Sequence, residues 1–345
     1  MIKKFFLLFF PLLSSLLPSI GTAQETLTLM THDSFNISKK LIRQFEKENN
    51  VTLQVFKAGD AGAALVQAIL SKENPMADVF FGIDNTFFSR AIQADIFEPY
   101  ASPKLADIND QFKLDQENRL LPVDYGDVCL NYDKAWFMNK GLAPPTDLSD
   151  LVKPEYKGLT VVENPATSSP GLAFLLATIG RFGRQGYLDF WRQLRDNDVL
   201  VADGWEDAYY GHFTSASKGS RPVVVSYGSS PAAVVYYAEK PMDSAPTGAL
   251  VNDGSAFRQI EFVGILKGTK KKDLARKLVD FMLSRPFQED IPLQMFVFPV
   301  NRTAILPPVF KKYARVARTP ATVAPDAIEK NREAWIEAWT DTVLR

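Results

Sequence analysis

The apolar residues in the first part of the chain alternate between two spacings. At residues 27–29 and 51–55 they occupy every second position, which predicts short strands. At residues 37–45 and 61–72 they recur at the three- and four-residue spacing of a helix. Residues 78–82 (DVFFG) are apolar almost throughout, as in a buried parallel strand. Strands that alternate with helices predict an α/β fold with a parallel sheet, in which ligands bind at the carboxyl ends of the strands.

The same kinds of element return in the second part of the chain. Strands are predicted at residues 159–163, 223–227 and 260–266, and an apolar helix begins near Gly171. An amphipathic helix follows at residues 274–282. Two sets of strands and helices in one chain predict two α/β lobes with the ligand between them.

The change of layout after residue 127 divides the chain into these lobes. We predict that residues 24–127 plus about 256–290 form the first lobe, and that residues 128–255 plus about 291–345 form the second. Because the chain passes from one lobe to the other more than once, two or more extended segments are expected to join them.

The chain begins with the features of a secretory signal. Lys3 and Lys4 precede an almost unbroken apolar run at residues 5–17, and small residues then lead to Ala23. The apolar run is too short to span a membrane, so we expect cleavage after Ala23 rather than an uncleaved anchor. No cysteine lies near this point, which argues against a lipid anchor and predicts a freely diffusing periplasmic protein.

The composition excludes several classes of function. Residues 1–23 contain two of the 39 basic residues and none of the 40 acidic ones, so the remaining chain carries a net charge of about −3. That balance gives no indication of nucleic-acid binding. Cys129 is the only cysteine, which excludes disulfides, and His32 and His212 are the only histidines, which makes a histidine-rich metal site improbable. We expect a monomer without metal or bound cofactor.

Short motifs are spread in order along almost the whole chain. Residues 77–82 (ADVFFG) and 298–301 (FPVN) resemble the extracellular solute-binding family that covers iron, polyamines and thiamine. Six further segments resemble the thiamine-binding subgroup of that family: residues 31–35 (THDSF), 82–85 (GIDN), 122–126 (PVDYG), 167–172 (TSSPGL), 204–209 (GWEDAY) and 226–231 (SYGSSP). Each motif is weak alone, but six in register are specific.

The resemblance implies a periplasmic-binding-protein-like fold of type II, with a ligand cleft between two α/β lobes. It also implies the substrate-binding component of an ABC importer, which captures thiamine and its phosphates and delivers them to a permease in the inner membrane. Thiamine, thiamine phosphate or thiamine diphosphate would then be the transported ligand, and the chain would not be an enzyme.

Thiamine joins a cationic thiazolium ring to a flat aminopyrimidine, so its binder needs aromatic faces and an acceptor carboxylate. Trp205 follows Gly204 in a loop, where its indole can present a face to a cation, an attraction worth about 0.5–2 kcal/mol. Tyr227 ends a predicted strand at the edge that faces the cleft. Both residues are also compatible with ordinary packing, and the resemblance implies that they contact the ligand.

Ser168 and Ser169 come just before the apolar helix at Gly171. Hydroxyl groups and free backbone amides converge at such a helix start, which favours an anion such as a phosphate. The alternative is that one of the serines caps the helix. The resemblance implies ligand contacts from both.

The turn after Tyr227 supplies three further predicted ligand contacts. Gly228 lets the backbone approach a ligand closely, and the resemblance implies contacts from Gly228, Ser229 and Ser230. The family commonly has threonine in place of Gly228, so the contact made at this position is expected to differ.

Other predicted contacts depart from the family pattern. Asp60 can cap a helix or accept a hydrogen bond from the ligand's amine, and Ala61 replaces the glycine that follows this aspartate in the family. His32 replaces a tyrosine, and Phe296 stands near the position of a tryptophan. These departures leave open a pyrimidine precursor or a thiamine phosphate as the preferred ligand.

Four further acids are candidate partners for a cationic ligand: Asp33, Asp84, Asp124 and Glu261. Each can instead cap a helix or pair across the lobes, and we expect one or two of them to contact the ligand. We include Asp84 in the predicted site, although Asp84 and Asn85 are also expected to cap the helix after the strand at residues 78–82.

Three alternative functions remain. Ferric-iron capture by the same fold uses consecutive tyrosines, which the chain has at residues 209–210 and 236–237. We interpret the second pair as helix packing. Polyamine binding needs several carboxylates around an aromatic box. An enzyme is the least favoured alternative, because neither Ser34 nor Ser226 lies in a nucleophile elbow.

Overall fold

The computed structural model describes residues 24–345, so the predicted signal at residues 1–23 lies outside the described residues. Within residues 24–345 there are eleven strands and ten α-helices. The strands are β1 (Glu25–Thr31), β2 (Val51–Lys57), β3 (Val79–Asp84), β4 (Phe97–Glu98), β5 (Leu121–Asp133), β6 (Thr160–Glu163), β7 (Leu200–Ala202), β8 (Val223–Tyr227), β9 (Thr247–Leu250), β10 (Phe257–Leu266) and β11 (Phe298–Pro299). The helices are α1 (Lys39–Asn49), α2 (Ala61–Leu70), α3 (Phe88–Gln93), α4 (Lys134–Lys140), α5 (Ser169–Asp196), α6 (Ser230–Tyr236), α7 (Lys272–Met282), α8 (Arg285–Gln294), α9 (Pro308–Tyr313) and α10 (Pro325–Val343).

The strands form one continuous sheet in the order β2-β1-β3-β10-β5-β8-β6-β7. At one end β1 lies parallel to β2 and β3, and we call this end, with the helices that pack on it, the first lobe. At the other end β6 lies parallel to β7 and β8, and we call this end, which packs on α5, the second lobe. The alternation of strands and helices therefore produces a parallel set in each lobe, as the apolar spacing predicts.

Two long antiparallel strands connect the lobes. β5 is 13 residues long, and its first half pairs with β10 while its second half pairs with β8 and β9. β10 pairs with β5 and, further along, with β3 of the first lobe. The predicted boundary at residues 127/128 falls inside β5, and the one at 255/256 falls just before β10.

The element boundaries follow from local chemistry. Helix α1 ends before Asn50, which adopts the left-handed conformation that asparagine tolerates, with φ of 50°. Helix α2 begins after Asp60, whose side chain caps it. The prediction that Asp84 caps the next helix is wrong. Helix α3 begins only at Phe88, and Oδ1 of Asp84 instead accepts from the Thr86 N–H at 2.6 Å, because a short turn separates the strand from the helix.

The core extends through both lobes, because helices cover the buried strands of each. A separate small cluster in the second lobe contains Tyr209 and Phe213, and Trp205 packs against it. Packing against this cluster restricts the orientation of the Trp205 ring. Within residues 24–345, none of the helices combines the length and the apolar character that crossing a membrane requires.

Candidate functional site: the cleft between the lobes

The parallel strands of both lobes end at one place. His32 follows β1, Asp60 follows β2, and Tyr227 is the last residue of β8. These residues line an inner cavity of about 50 Å³ between the lobes. It adjoins a wider outer cleft of about 680 Å³, and the two share Trp205 and Phe296 among their lining residues. The carboxyl ends of the strands thus form the cleft, as expected for an open α/β sheet.

Most of the predicted site residues come together in this cleft. Eight of them line the inner cavity: His32, Asp60, Ala61, Ser169, Trp205, Tyr227, Ser230 and Phe296. Four others lie beside the cavity without lining it: Asp84, Ser168, Gly228 and Ser229. A ligand contact from any of the twelve remains a prediction.

Asp60 connects the two lobes. Its Oδ1 accepts from the Ala61 N–H at 2.7 Å, which caps α2 in the first lobe. The same carboxylate accepts from the backbone N–H groups of Ser169 at 3.4 Å and Trp205 at 3.3 Å, both in the second lobe. Burial raises the pKa of Asp60, although these hydrogen bonds and His32 act in the opposite direction. Asp60 therefore occupies the start of α5, where the sequence predicts an anion.

Trp205 forms part of the wall shared by the inner cavity and the outer cleft. Its ring stacks on Tyr209 with 5.0 Å between the ring centroids and lies edge-on to Tyr210. The indole Nε1 donates to Oγ of Ser226 at 2.9 Å, and that hydroxyl lies 2.9 Å from Oγ of Ser230. The ring is thus fixed in orientation with part of its surface facing the cleft.

Phe296 contributes a second aromatic surface to the lining, in an unusual backbone conformation. Its φ is 60°, which a bulky residue rarely adopts. Oγ of Ser229 donates to its carbonyl oxygen, and its ring packs edge-on against Tyr237 at 5.4 Å. Ser229 therefore positions Phe296. Tyr237 is exposed and lines the outer cleft, so the interpretation of Tyr237 as helix packing is wrong.

Gln259 organises the polar side of the inner cavity. Its Oε1 accepts from the Tyr227 hydroxyl at 3.0 Å, and its Nε2 donates to Oγ of Ser169 and Oδ2 of Asp84, both at 3.0 Å. Burial raises the pKa of Tyr227 well above its usual value, so its hydroxyl stays protonated and donates. One amide thus joins residues of β3, β8, β10 and α5.

Three carboxyl groups lie side by side on adjacent strands. Glu261 of β10 is paired in register with Asp84 of β3 on one side and with Asp124 of β5 on the other. We call these three residues the carboxyl row. All are buried, and Glu261 alone of the three lines the cavity.

His32 pairs with the middle member of the carboxyl row. Its Nε2 lies 3.2 Å from Oε1 of Glu261. Burial lowers the pKa of His32, but the charge of Glu261, its hydrogen bond and the charge of Asp60 outweigh burial and raise it overall. Gly82 makes room for this ring, because its φ is 102° and a Cβ there would lie 2.2 Å from Cδ2 of His32.

Ser168 and Gly228 have structural partners instead of facing the cavity. Oγ of Ser168 accepts from the Gly171 N–H at 3.4 Å, which is the capping alternative. The N–H of Gly228 donates to the Asp127 carbonyl, and a Cβ at Gly228 would lie 2.4 Å from the carbonyl oxygen of Arg315. The glycine here permits close approach of a neighbouring chain segment.

Sequence reasoning missed Gln259, Met295 and Val297 as lining residues and weighed Glu261 only as one acid among several. The available signal was the pair Gln259 and Glu261, two polar residues two apart in a strand whose last five residues are apolar. Such residues share one face of a strand, and burial of both marks a polar site.

Apart from the titratable His32, the charged side chains that line the cleft are acidic. Among the residues that the structure describes, no lysine or arginine lines the inner cavity or the outer cleft, whereas Asp60, Glu206 and Glu261 do. Within the same residues, no group of three or more His, Cys, Asp or Glu side chains is arranged to hold a metal ion. Aromatic walls with carboxylates fit a flat organic cation.

The fold and this cleft define a protein that holds a solute between two lobes. The chain belongs to the bacterial extracellular solute-binding protein family, which matches residues 74–327. It is therefore a solute-binding protein and not an enzyme.

Particular members of the family are similar over nearly the whole chain. The thiamine-binding periplasmic protein of Salmonella typhimurium is 31% identical over 330 residues, which cover 94% of this chain and 95% of the relative. The thiamine-binding periplasmic protein of Escherichia coli is 30% identical over 327 residues, with 94% and 95% covered. The solved structure of a periplasmic thiamin binding protein has a TM-score of 0.83 at 28% identity and covers 94% and 98%. These comparisons confirm the predicted two-lobed fold of type II.

The same fold holds other cargo. A ferric binding protein from Campylobacter jejuni has a TM-score of 0.74 at 18% identity, with 92% of this chain and 99% of that one covered. Likeness at that identity concerns the fold alone, so the ligand has to be argued from the cleft.

Proposed function

We propose that this chain is the substrate-binding component of an ABC importer that captures thiamine in the periplasm and delivers it to a membrane permease. The observation that carries the proposal is the cleft, where aromatic rings and carboxylates line the walls and no described lysine or arginine does. A cationic thiazolium joined to a flat aminopyrimidine matches that lining. The names of the similar relatives support the same ligand.

Thiamine phosphates are included in the proposal as transported ligands. The outer cleft, at about 680 Å³, is large enough to hold the tail of a ligand whose rings lie deeper. The start of α5, where the sequence predicts a phosphate, is instead occupied by the Asp60 carboxylate. A phosphate would therefore extend toward the outer cleft, near the exposed rings of Tyr210 and Tyr237.

Calorimetric titration of the purified protein, stripped of bound ligand by unfolding and refolding, tests the proposal. Thiamine should bind at one site per chain, and native mass spectrometry before stripping should show thiamine or a phosphate of it as the co-purified mass. Co-purification of a free pyrimidine would identify the precursor alternative instead. Failure of thiamine to bind the refolded protein at millimolar concentration would refute the proposal.

The iron and polyamine alternatives have separate readouts. Tyr209 and Tyr210 both line the outer cleft, but Tyr209 is largely buried and its ring stacks on Trp205, whereas Tyr210 is exposed. A visible charge-transfer band after ferric addition would nevertheless favour iron. The lining carboxylates of Asp60, Glu206 and Glu261 suit a polyamine, and a spermidine titration tighter than that of thiamine would favour that ligand.

A further inference from the structure

The carboxyl row cannot carry three charges. Neighbouring strands lie about 4.8 Å apart, so the side chains of Asp84, Glu261 and Asp124 are close, and all three are buried. Carboxylates at such spacing in a low dielectric repel each other strongly, and some of them must keep their protons.

The negative charge of the row is concentrated on Glu261. Burial raises the pKa of Asp124 well above its usual range, and the charge of Glu261 adds to this effect. Burial likewise raises the pKa of Asp84 to about 7. For Glu261 burial acts in the same direction, but the charge of and hydrogen bond to His32, with a hydrogen bond from Asp124, lower the pKa overall.

Glu261 is also the member of the row that a ligand can reach. It lines the inner cavity, and the polar atoms of the neighbouring Gln259 side chain are engaged by Tyr227, Ser169 and Asp84. A carboxylate has about four lone-pair positions, and the only charged side chain paired with Glu261 among the described residues is His32, 3.2 Å from Oε1. An ionised acceptor with spare capacity therefore remains on the polar side of the cavity.

We propose that Glu261 determines specificity by accepting a hydrogen bond from the amino group of the ligand's pyrimidine ring, with His32 as a positioning residue. The inference rests on the proposed function and adds an orientation to it. The aminopyrimidine lies deepest, the thiazolium lies along the wall that contains Trp205, and the tail extends into the outer cleft. This orientation follows because the cavity offers its ionised acceptor inside and its free space outside.

The test compares thiamine with oxythiamine, in which a carbonyl oxygen replaces the amino group. The wild-type protein should prefer thiamine by at least about 100-fold, because a buried acceptor that loses its donor and faces a carbonyl is left unpaired. In Glu261→Gln the amide can donate to that carbonyl, so the preference should fall below about tenfold. Glu261→Asp keeps the charge and should retain a preference above about tenfold, even if it binds both ligands more weakly.

Glu206→Gln is the matched control, since Glu206 is an exposed carboxylate in the lining of the outer cleft. It should change the affinities for the two ligands by the same factor and leave the preference intact. Circular dichroism and thermal melts identify any variant that fails to fold. If Glu261→Gln does not fold, Glu261→Asp and the wild-type preference carry the test.

The outcomes separate the inference from the function on which it rests. Wild-type protein that binds thiamine and oxythiamine equally well would overturn the role of Glu261 and leave thiamine capture standing. So would Glu261→Gln protein that keeps the full preference. Wild-type protein that binds neither ligand would instead overturn the proposed function.

Discussion

The two sides of the cleft differ in the kind of side chain that they present to a ligand. On one side the carboxyl row and His32 provide groups that gain or lose protons. On the other side the second lobe provides Trp205 and Tyr209, fixed by stacking and by the neutral hydrogen bond to Ser226. Recognition of the ligand's charge and of its hydrogen-bond donors should therefore depend on pH, whereas contact with the aromatic rings should not.

The aromatic side should carry the largest single effect. Trp205→Ala removes both the ring surface and the attraction of its face for a cation, so thiamine binding should weaken by about 2–4 kcal/mol, as at a binding hot spot. Trp205→Phe keeps a flat face and should lose less. The loss should be the same at pH 6 and pH 8, measured by calorimetry.

Two results would contradict this difference between the two sides of the cleft. Folded Trp205→Ala protein that binds thiamine as tightly as wild type would remove Trp205 from the site. A loss that changes strongly with pH would mean that the aromatic side depends on the titrating side. Circular dichroism is the control for folding, because Trp205 also packs on the small cluster of the second lobe.

The carboxyl row should make the free energy of unfolding depend on pH. Because burial raises the pKa of Asp84 to about 7, the folded protein holds a proton that the unfolded chain releases near pH 4. Stability should therefore fall as pH rises between about 4 and 7, and the contribution of Asp84 between pH 5 and 8 is on the order of 2–3 kcal/mol. Asp84→Asn cannot titrate, so its unfolding free energy should fall less over that range.

Urea unfolding of both proteins at pH 5 and pH 8 measures this difference. The change between the two pH values is the readout, since Asp84→Asn also alters the contacts with Thr86 and Gln259. Identical changes in wild type and variant would show that Asp84 is ionised in the folded protein, and the charge of the row would then not be confined to Glu261.

Asp60 belongs to neither side alone, because it accepts from N–H groups of both lobes. Asp60→Ala removes two hydrogen bonds between the lobes, worth about 1–2 kcal/mol together at these long distances. The ligand-free variant should be more open, with a larger radius of gyration in small-angle scattering than wild type. Asp60→Asn keeps one acceptor oxygen and should be intermediate. An unchanged radius in Asp60→Ala would show that Asp60 serves only as the cap of α2.

The two sides also differ in how far the sequence predicts them. Trp205 and Tyr227 lie in short motifs that resemble the thiamine-binding subgroup, and that resemblance predicts their position in the cleft. The strand and helix spacing likewise predicts the parallel sets of both lobes. Apolar spacing and short motifs involve only residues that are near each other in the chain, so they can be recognised without a structure. The fold that they predict is confirmed.

The carboxyl row depends on long-range register instead. Its members are separated by 40 and 137 positions in the chain, and β10 shifts register just after Glu261. β5 itself gives no alternating pattern, because Asp124 and Asp127 are buried within it beside apolar residues. No local pattern in the sequence indicates which residues of these strands lie side by side, so the acids could be predicted only as separate candidates.

Two further features could not be predicted from the sequence: the backbone conformation of Phe296 and the contacts that Asp60 makes with both lobes. The left-handed φ of Phe296 is imposed by its surroundings, including the hydrogen bond from Ser229. The capping role of Asp60 is local and predictable, whereas its bonds to Ser169 and Trp205 exist only when the lobes approach each other. Contacts across a cleft are the part of the site that needs a structure.

The smallest expected effect is the pH dependence of ligand affinity, which depends on the protonation of His32. The pKa of His32 is raised because Glu261 and Asp60 outweigh burial, so its ion pair with Glu261 persists below that pKa and is lost as pH rises through it. Stability from this pair is fully present below about pH 6.5, the value of the unfolded chain, and is lost as pH rises from there through the raised value. Ligand affinity should change in the opposite direction, because a protonated His32 repels the thiazolium cation. Thiamine should therefore bind more tightly as pH rises, by less than about tenfold per pH unit for one released proton.

His32→Phe keeps the ring against Phe81 but cannot titrate, so its affinity should be flat over the same range. Titrations in two buffers of different ionisation enthalpy measure the proton release directly. Equal pH profiles for wild type and His32→Phe would show that the charge of His32 does not act on the bound ligand.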